Sequence, residues 1–195
     1  MSKLAILGST GSIGRQALRV VDSFPGELVP VALAAGGNRE LLLEQVRRYK
    51  PLLAYLRSDE DACWLRDRLG QGGRTEVCYG RSGLLDLASM SEADTVLTAL
   101  SGAAGLEPTV AAVRAGKRIA LANKETLVAA GRLVMDEARR HGSQITPVDS
   151  EHSAVWQCLD GAEPDTVAQI ILTASGGPFR DMSRREMQNV TPAMA

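Results

Sequence analysis

Short apolar runs alternate with stretches of helical period along almost the whole chain. The runs at 4–7, 28–33, 52–56, 75–79, 95–100, 118–121, 144–148 and 167–173 have the length and apolar content of buried strands. Between them, 12–24, 40–49, 59–69, 108–115 and 125–141 space their apolar residues as amphipathic helices do. Strands that are apolar on both faces need cover on both faces. The pattern therefore predicts an α/β fold, a parallel sheet with helices packed on each side. Pro25-Gly26, Pro51 and Gly70-Gln71-Gly72-Gly73 fall between the elements, where turns belong. The alternation changes character after Val148, which predicts a first domain over 1–148 and the start of a second over 149–195.

The last residues carry helix-start signals. Ser183-Arg184-Arg185-Glu186 reads as a capping box, and Thr191-Pro192 as an N-cap followed by Pro at the first helical position. Only three residues follow, so the expectation is a fragment whose helix continues elsewhere, with a natural frayed tail as the alternative.

Composition narrows the function classes. Apolar residues make up 45% of the 195, enough for a sizeable core. Lys and Arg number 22 against 23 Asp and Glu, a formal charge of -1, which argues against partners recruited by bulk charge such as nucleic acid or an anionic membrane. Cys63, Cys78 and Cys158 are scattered and odd in number, so neither a disulfide framework nor a zinc site is expected. No run approaches the roughly 20 apolar residues of a membrane span. The expected setting is the reducing cytoplasm.

The candidate chemistry lies at strand ends, where ligands of open α/β sheets bind. Gly8-Ser9-Thr10-Gly11-Ser12-Ile13-Gly14 follows the first strand and opens a helix, the order needed to set backbone amides and a helix N-terminus against a pyrophosphate. Its G-x-x-G-x-x-G spacing matches the general dinucleotide fingerprint only in part. The second strand ends in Ala35-Gly36-Gly37-Asn38-Arg39, with no carboxylate before Glu40. An acid at that tip would hold the ribose hydroxyl of NAD; a neutral tip with an Arg suits a 2′-phosphate, so NADP(H) is favoured.

Three further clusters follow later strands. Asn123-Lys124-Glu125 can face a nicotinamide ribose and an anionic substrate, or simply cap a hydrated helix. In Asp149-Ser150-Glu151-His152 the two acids share a side if the chain is extended, as hard ligands for Mg²⁺ or Mn²⁺ would. An acidic helix start explains them as well. Ser175, in Ser175-Gly176-Gly177-Pro178, can donate to a phosphate or lie in a plain turn.

Together, GSTGSIG, LANKE, PVDSEH and SGGPFR, in this order, resemble 1-deoxy-D-xylulose 5-phosphate reductoisomerase over essentially the whole chain. The resemblance implies a Rossmann-like NADPH-binding domain followed by the beginning of an α/β catalytic domain. It implies NADPH and a divalent cation (Mg²⁺, Mn²⁺ or Co²⁺) as cofactors, and a small phosphorylated sugar as substrate. The reaction implied is rearrangement and reduction of that substrate to 2-C-methyl-D-erythritol 4-phosphate, in isoprenoid biosynthesis by the non-mevalonate route. A homodimer is implied for the full-length protein.

Residue by residue, the resemblance puts Thr10, Gly11, Ser12 and Ile13 on the pyrophosphate, and Gly36, Gly37 and Asn38 near the 2′-phosphate. Asn123 and Glu125 fall near the nicotinamide. Lys124, Ser150, Glu151 and Ser175 bind substrate, Asp149 and Glu151 hold the metal, and Lys124 and Glu151 are the catalytic residues. Many relatives carry a basic residue at the place of Gly37, so the phosphate contact would pass to Arg39 or to backbone here. A flexible loop, a third metal carboxylate, further phosphate ligands and a C-terminal helical domain are implied beyond residue 195, so the fragment alone should not turn over. A stand-alone NADPH-binding module is the alternative. A semialdehyde dehydrogenase is a third reading, with no cysteine in a nucleophile's setting.

Overall fold

The computed structural model describes residues 1–70, 72–171 and 177–194. The chain divides into two compact units, Met1–Asp149 and Ser150–Ala195.

The first unit is a seven-stranded sheet in the order β4-β3-β2-β1-β5-β6-β7. Its strands are β1 (Ser2–Leu7), β2 (Leu28–Ala35), β3 (Leu53–Leu56), β4 (Glu76–Tyr79), β5 (Thr95–Thr98), β6 (Arg118–Leu121) and β7 (Ile145–Pro147). Every neighbouring pair is parallel. Helices α1 (Ser12–Ser23), α2 (Arg39–Tyr49), α3 (Asp59–Leu69), α4 (Gly80–Ser89), α5 (Leu106–Arg114) and α6 (Lys124–His141) make the crossovers. This is the α/β sheet expected of the apolar runs, with the chain reversing direction across the sheet between β1 and β5. Ligands of such folds sit at that switch, beyond the carboxyl ends of the strands.

Alternation along β1 divides the core. Ile6 faces one layer with Leu18 of α1, Leu42 and Val46 of α2, and Leu65 of α3. Ala5 and Leu7 face the other, with Leu87 of α4, Val113 of α5 and Val134 of α6. Glu137 ties α6 to α5: its carboxylate accepts from Arg114 Nε at 2.6 Å and Arg140 Nη1 at 2.9 Å. The Arg114 guanidinium holds that carboxyl below the usual range. α6 breaks its helical geometry at Ala130, beside Gly131.

Two expectations need correction. Residues 167–171 form no strand, and 172–173 lie outside the described residues. A three-residue 3₁₀ turn at Pro164–Thr166 precedes this apolar segment, and among the described residues no strand pairs with it. Asp149 and Glu151 are also not two apart on an extended chain, because α7 (Ser150–Leu159) starts between them. The acidic helix start, left open by the sequence, is the geometry present.

The signals near the end are real but short. Ser183 N donates to the Glu186 carboxylate at 2.7 Å and Glu186 N to Ser183 Oγ at 3.4 Å, a reciprocal capping box opening only a 3₁₀ turn, Glu186–Asn189. Pro192–Met194 is likewise a 3₁₀ turn.

One contact controls the entry to α1. A Cβ at Gly14 would lie 2.2 Å from the Gly8 carbonyl oxygen and 2.6 Å from the Ser9 Cα. Both neighbours are backbone and cannot swing aside. A Cβ at Gly11 would meet only the Gly8 oxygen, at 3.2 Å. Gly14→Ala should therefore lower the unfolding free energy by more than about 2 kcal/mol, in the range of overpacked cores. Gly11→Ala should cost less than about 1 kcal/mol. Urea unfolding of both variants checks the contrast, and equal losses would contradict it.

Candidate functional site

The turn after β1 is built from the backbone outward. Gly8 N and Ser9 N both donate to the Ala34 carbonyl of β2, at 2.9 and 2.8 Å. Gly8 has φ +92°, and a Cβ there would lie 2.5 Å from the Ala99 oxygen beyond β5. Ser9 is fully buried; its hydroxyl donates to Gln45 Oε1 at 2.7 Å, and Gln45 Nε2 donates back to the Ser9 carbonyl at 2.9 Å. That reciprocal pair locks the turn to α2. Gln45 is a polar residue on the apolar face of its helix, beside Leu42 and Val46. That anomaly was the available signal for this lock, and the sequence reading missed it.

Locked on three sides, the turn leaves Thr10, Gly11, Ser12 and Ile13 at the surface. Gly11 is the N-cap of α1 and offers no side-chain hydrogen bond. The amides of Ser12 and Ile13 therefore lack both an intrahelical acceptor and a side-chain cap. With the helix dipole behind them they form a donor set suited to an anion.

At the next strand end, Gly36 is half-buried and Gly37 and Asn38 are exposed. Asn38 caps α2 by accepting from Leu41 N at 3.1 Å. Arg39 is already engaged. Its guanidinium pairs with Asp61 at 2.9 Å and Glu40 at 3.4 Å and lies 4.7 Å from the Trp64 ring centre. Those two carboxylates raise its pKa against the opposing effect of desolvation.

Asn123 is 2% exposed and fully hydrogen-bonded. Its Oδ1 accepts from Thr126 N at 2.9 Å, capping α6, while its Nδ2 donates to the carbonyls of Leu100 and Gly102 beyond β5. Its side chain thus joins the loops after β5 and β6, whereas Glu125 stands exposed on the first turn of α6. Lys124 Nζ reaches Asp149 Oδ2 at 3.4 Å, bringing the loop after β6 to the one after β7. Lys124 is largely exposed and Asp149 largely buried. In the second unit, Ser150 and Glu151 are exposed at the start of α7, with Ser150 Oγ donating to Glu151 Oε2 at 2.7 Å. Ser175 lies outside the described residues.

The donor sets fit the expected groups. Uncapped amides and a strand end with no carboxylate before Glu40 suit a dinucleotide with a 2′-phosphate, and carboxylate oxygens suit a hard cation better than zinc. Among the described residues no three His, Cys, Asp or Glu gather around one point. Burial pushes the Cys78 thiol up to about 11, far from a reactive thiolate.

The profile of the family described as 1-deoxy-D-xylulose 5-phosphate reductoisomerase matches residues 4–131, and that of its C-terminal domain matches 145–195. The 1-deoxy-D-xylulose 5-phosphate reductoisomerase of Desulforamulus reducens is 59% identical across 100% of this chain and 51% of its own length. The Zymomonas mobilis enzyme in complex with NADPH superimposes with a TM-score of 0.88 at 41% identity, over 100% of this chain and 51% of that one. A reductoisomerase crystallised with NADPH, fosmidomycin and magnesium gives 0.85 at 40% identity, over 100% and 50%. The chain thus spans about half the length of the curated relatives it matches. With matched residues covering nearly all of its length, and the glycine turn, the Lys124 and Asp149 pair and the α7 start all inside them, the chain belongs to the 1-deoxy-D-xylulose 5-phosphate reductoisomerase family.

Proposed function

We propose that the protein carrying this chain converts 1-deoxy-D-xylulose 5-phosphate to 2-C-methyl-D-erythritol 4-phosphate with NADPH and a divalent cation. The unit Met1–Asp149 serves as its NADPH-binding domain, and the residues from Ser150 on begin the catalytic domain. The observation that carries this reading is the Lys124 and Asp149 pair at 3.4 Å, on the sheet edge that also presents the uncapped start of α1. Cofactor amides and substrate groups then serve one reaction from one edge. On this reading the whole protein acts on a small phosphorylated sugar, in the cytoplasm and as a homodimer. Among the described residues no helix is long and apolar enough to cross a membrane.

When bound, NADPH supplies the hydride and the divalent cation supplies Lewis acidity. The chain's own residues position and screen. Thr10, Gly11, Ser12 and Ile13 hold the pyrophosphate, with the Ser12 and Ile13 amides as open donors and Gly11 N spent on the Gly8 carbonyl, so little charge need be brought in by side chains. Glu125 lies near the nicotinamide end; Asn123 acts there through the loops it joins, its side chain being spent on them. Asp149 and Glu151 provide the cation's hard oxygens. Lys124 gives substrate oxygens a positive partner, and its pairing with Asp149 keeps the ammonium in place before substrate arrives. Ser150 and Ser175 supply substrate donors.

Asp149→Asn separates these roles in the protein produced from its whole coding region. Turnover, followed as substrate-dependent NADPH oxidation, should fall on the order of a hundredfold or more, the scale of losing a fixed electrostatic group. NADPH affinity should stay within about twofold, because Asp149 faces substrate chemistry rather than cofactor. Near-normal turnover would mean that the acid only caps a helix. A parent protein with no substrate-dependent oxidation would refute the function itself.

A further inference from the structure

Resting on that cofactor reading, we propose that Arg57, rather than Arg39, recognises the 2′-phosphate of NADPH in this chain. The register of the sheet puts it there. Ala35 of β2 pairs with Leu56 of β3, so Gly36 and Arg57 leave the sheet side by side at its carboxyl edge. A Cβ at Gly36 would lie 3.2 Å from Arg57 Nη2. The guanidinium therefore rests over the Gly36 backbone, on ground left open because residue 36 has no side chain.

The charges near this tip distinguish the two arginines. Arg39 is held between Asp61 and Glu40 and stacked on Trp64. A phosphate dianion approaching it would meet both carboxylates. Arg57 is exposed, and among the described residues its guanidinium enters none of the ion pairs. Its carbonyl accepts from Gly80 N at 3.4 Å, which steadies the backbone while the side chain stays available. A guanidinium can meet a phosphate with two parallel hydrogen bonds, and NADP-binding sheets place an Arg near this tip. Asn38 spends its Oδ1 on the α2 cap and keeps its amide N–H groups for the same ligand. Gly37 contributes backbone only, and a Cβ there would meet nothing within 4 Å. That space makes a relocation of the charge possible.

The test is calorimetric titration of NADPH and NADH into the protein produced from its whole coding region and into three variants. Arg57→Ala should weaken NADPH at least about tenfold, roughly 1.4 kcal/mol, and leave NADH within about twofold. Arg39→Ala should leave the ratio of the two affinities unchanged. The double variant Arg57→Ala with Gly37→Lys should recover most of the NADPH preference, because the open space at residue 37 admits a lysine beside the same phosphate. An unchanged ratio in Arg57→Ala would overturn the assignment. So would a collapse confined to Arg39→Ala, or equal loss of both cofactors in Arg57→Ala, which marks a structural role. A parent protein that binds both cofactors alike would instead refute the cofactor reading, and Arg57 with it.

Discussion

Gly14 brings the first turn of α1 against the backbone of Gly8 and Ser9 more closely than any side chain would allow. Because the helix cannot back away, its start stays at the end of the central strand. Because Gly11 caps it without a side chain, its first amides stay open. The neighbours reinforce the placement: Ala99 beyond β5 crowds Gly8, and Gln45 of α2 grips Ser9 from the other side. A turn held by β5, by α2 and by its own helix has little freedom left to lose when an anion arrives. Preorganisation of this kind reduces the ordering cost of binding.

Around that fixed turn, several cations are committed to ties between elements. Arg39 closes α2 onto α3 through Asp61, Arg114 closes α5 onto α6 through Glu137, and Lys124 stands beside Asp149. Arg57 is left facing the tip of β2. Buried polar groups follow the same economy. Asn123 satisfies both loop carbonyls and a helix start with one side chain, where an unpaired group would cost about 1–3 kcal/mol. The loops after β5 and β6 therefore move as one with α6, and Lys124 with them.

Where the physics was local, the sequence was readable. Short runs that are wholly or mostly apolar marked β1, β3 and β6, and amphipathic spacing marked α2 and α3. The helix α4 was not marked, because Gly80 and Gly83 weaken its propensity; Gly83 is there because a Cβ would crowd Cys78 at 3.1 Å. Residues 167–171 have strand composition, but a strand exists only if an edge receives it, and composition carries no information about edges. The acids at 149 and 151 were placed on an extended chain by counting, while the chain in fact turns into α7 between them. The metal role of those acids rests on family likeness, not on strand spacing. Arg39 looked like the phosphate partner because it is near in sequence. Asp61, distant in sequence, takes it away, and β-sheet register brings Arg57 in its stead. Pairings across the sheet are non-local, so no window of the sequence shows them.

On the proposed function, the uncapped start of α1 is an anion site held ready by the packing of Gly14. Amide nitrogen–proton NMR spectra of the ¹⁵N-labelled protein, recorded as NADPH is added, test it directly. The largest shifts should fall on the backbone amides of residues 10–13, with Ser12 and Ile13 foremost. If those amides keep their positions while saturating NADPH moves signals elsewhere, the cofactor binds at another place and the start of α1 is not its anion site.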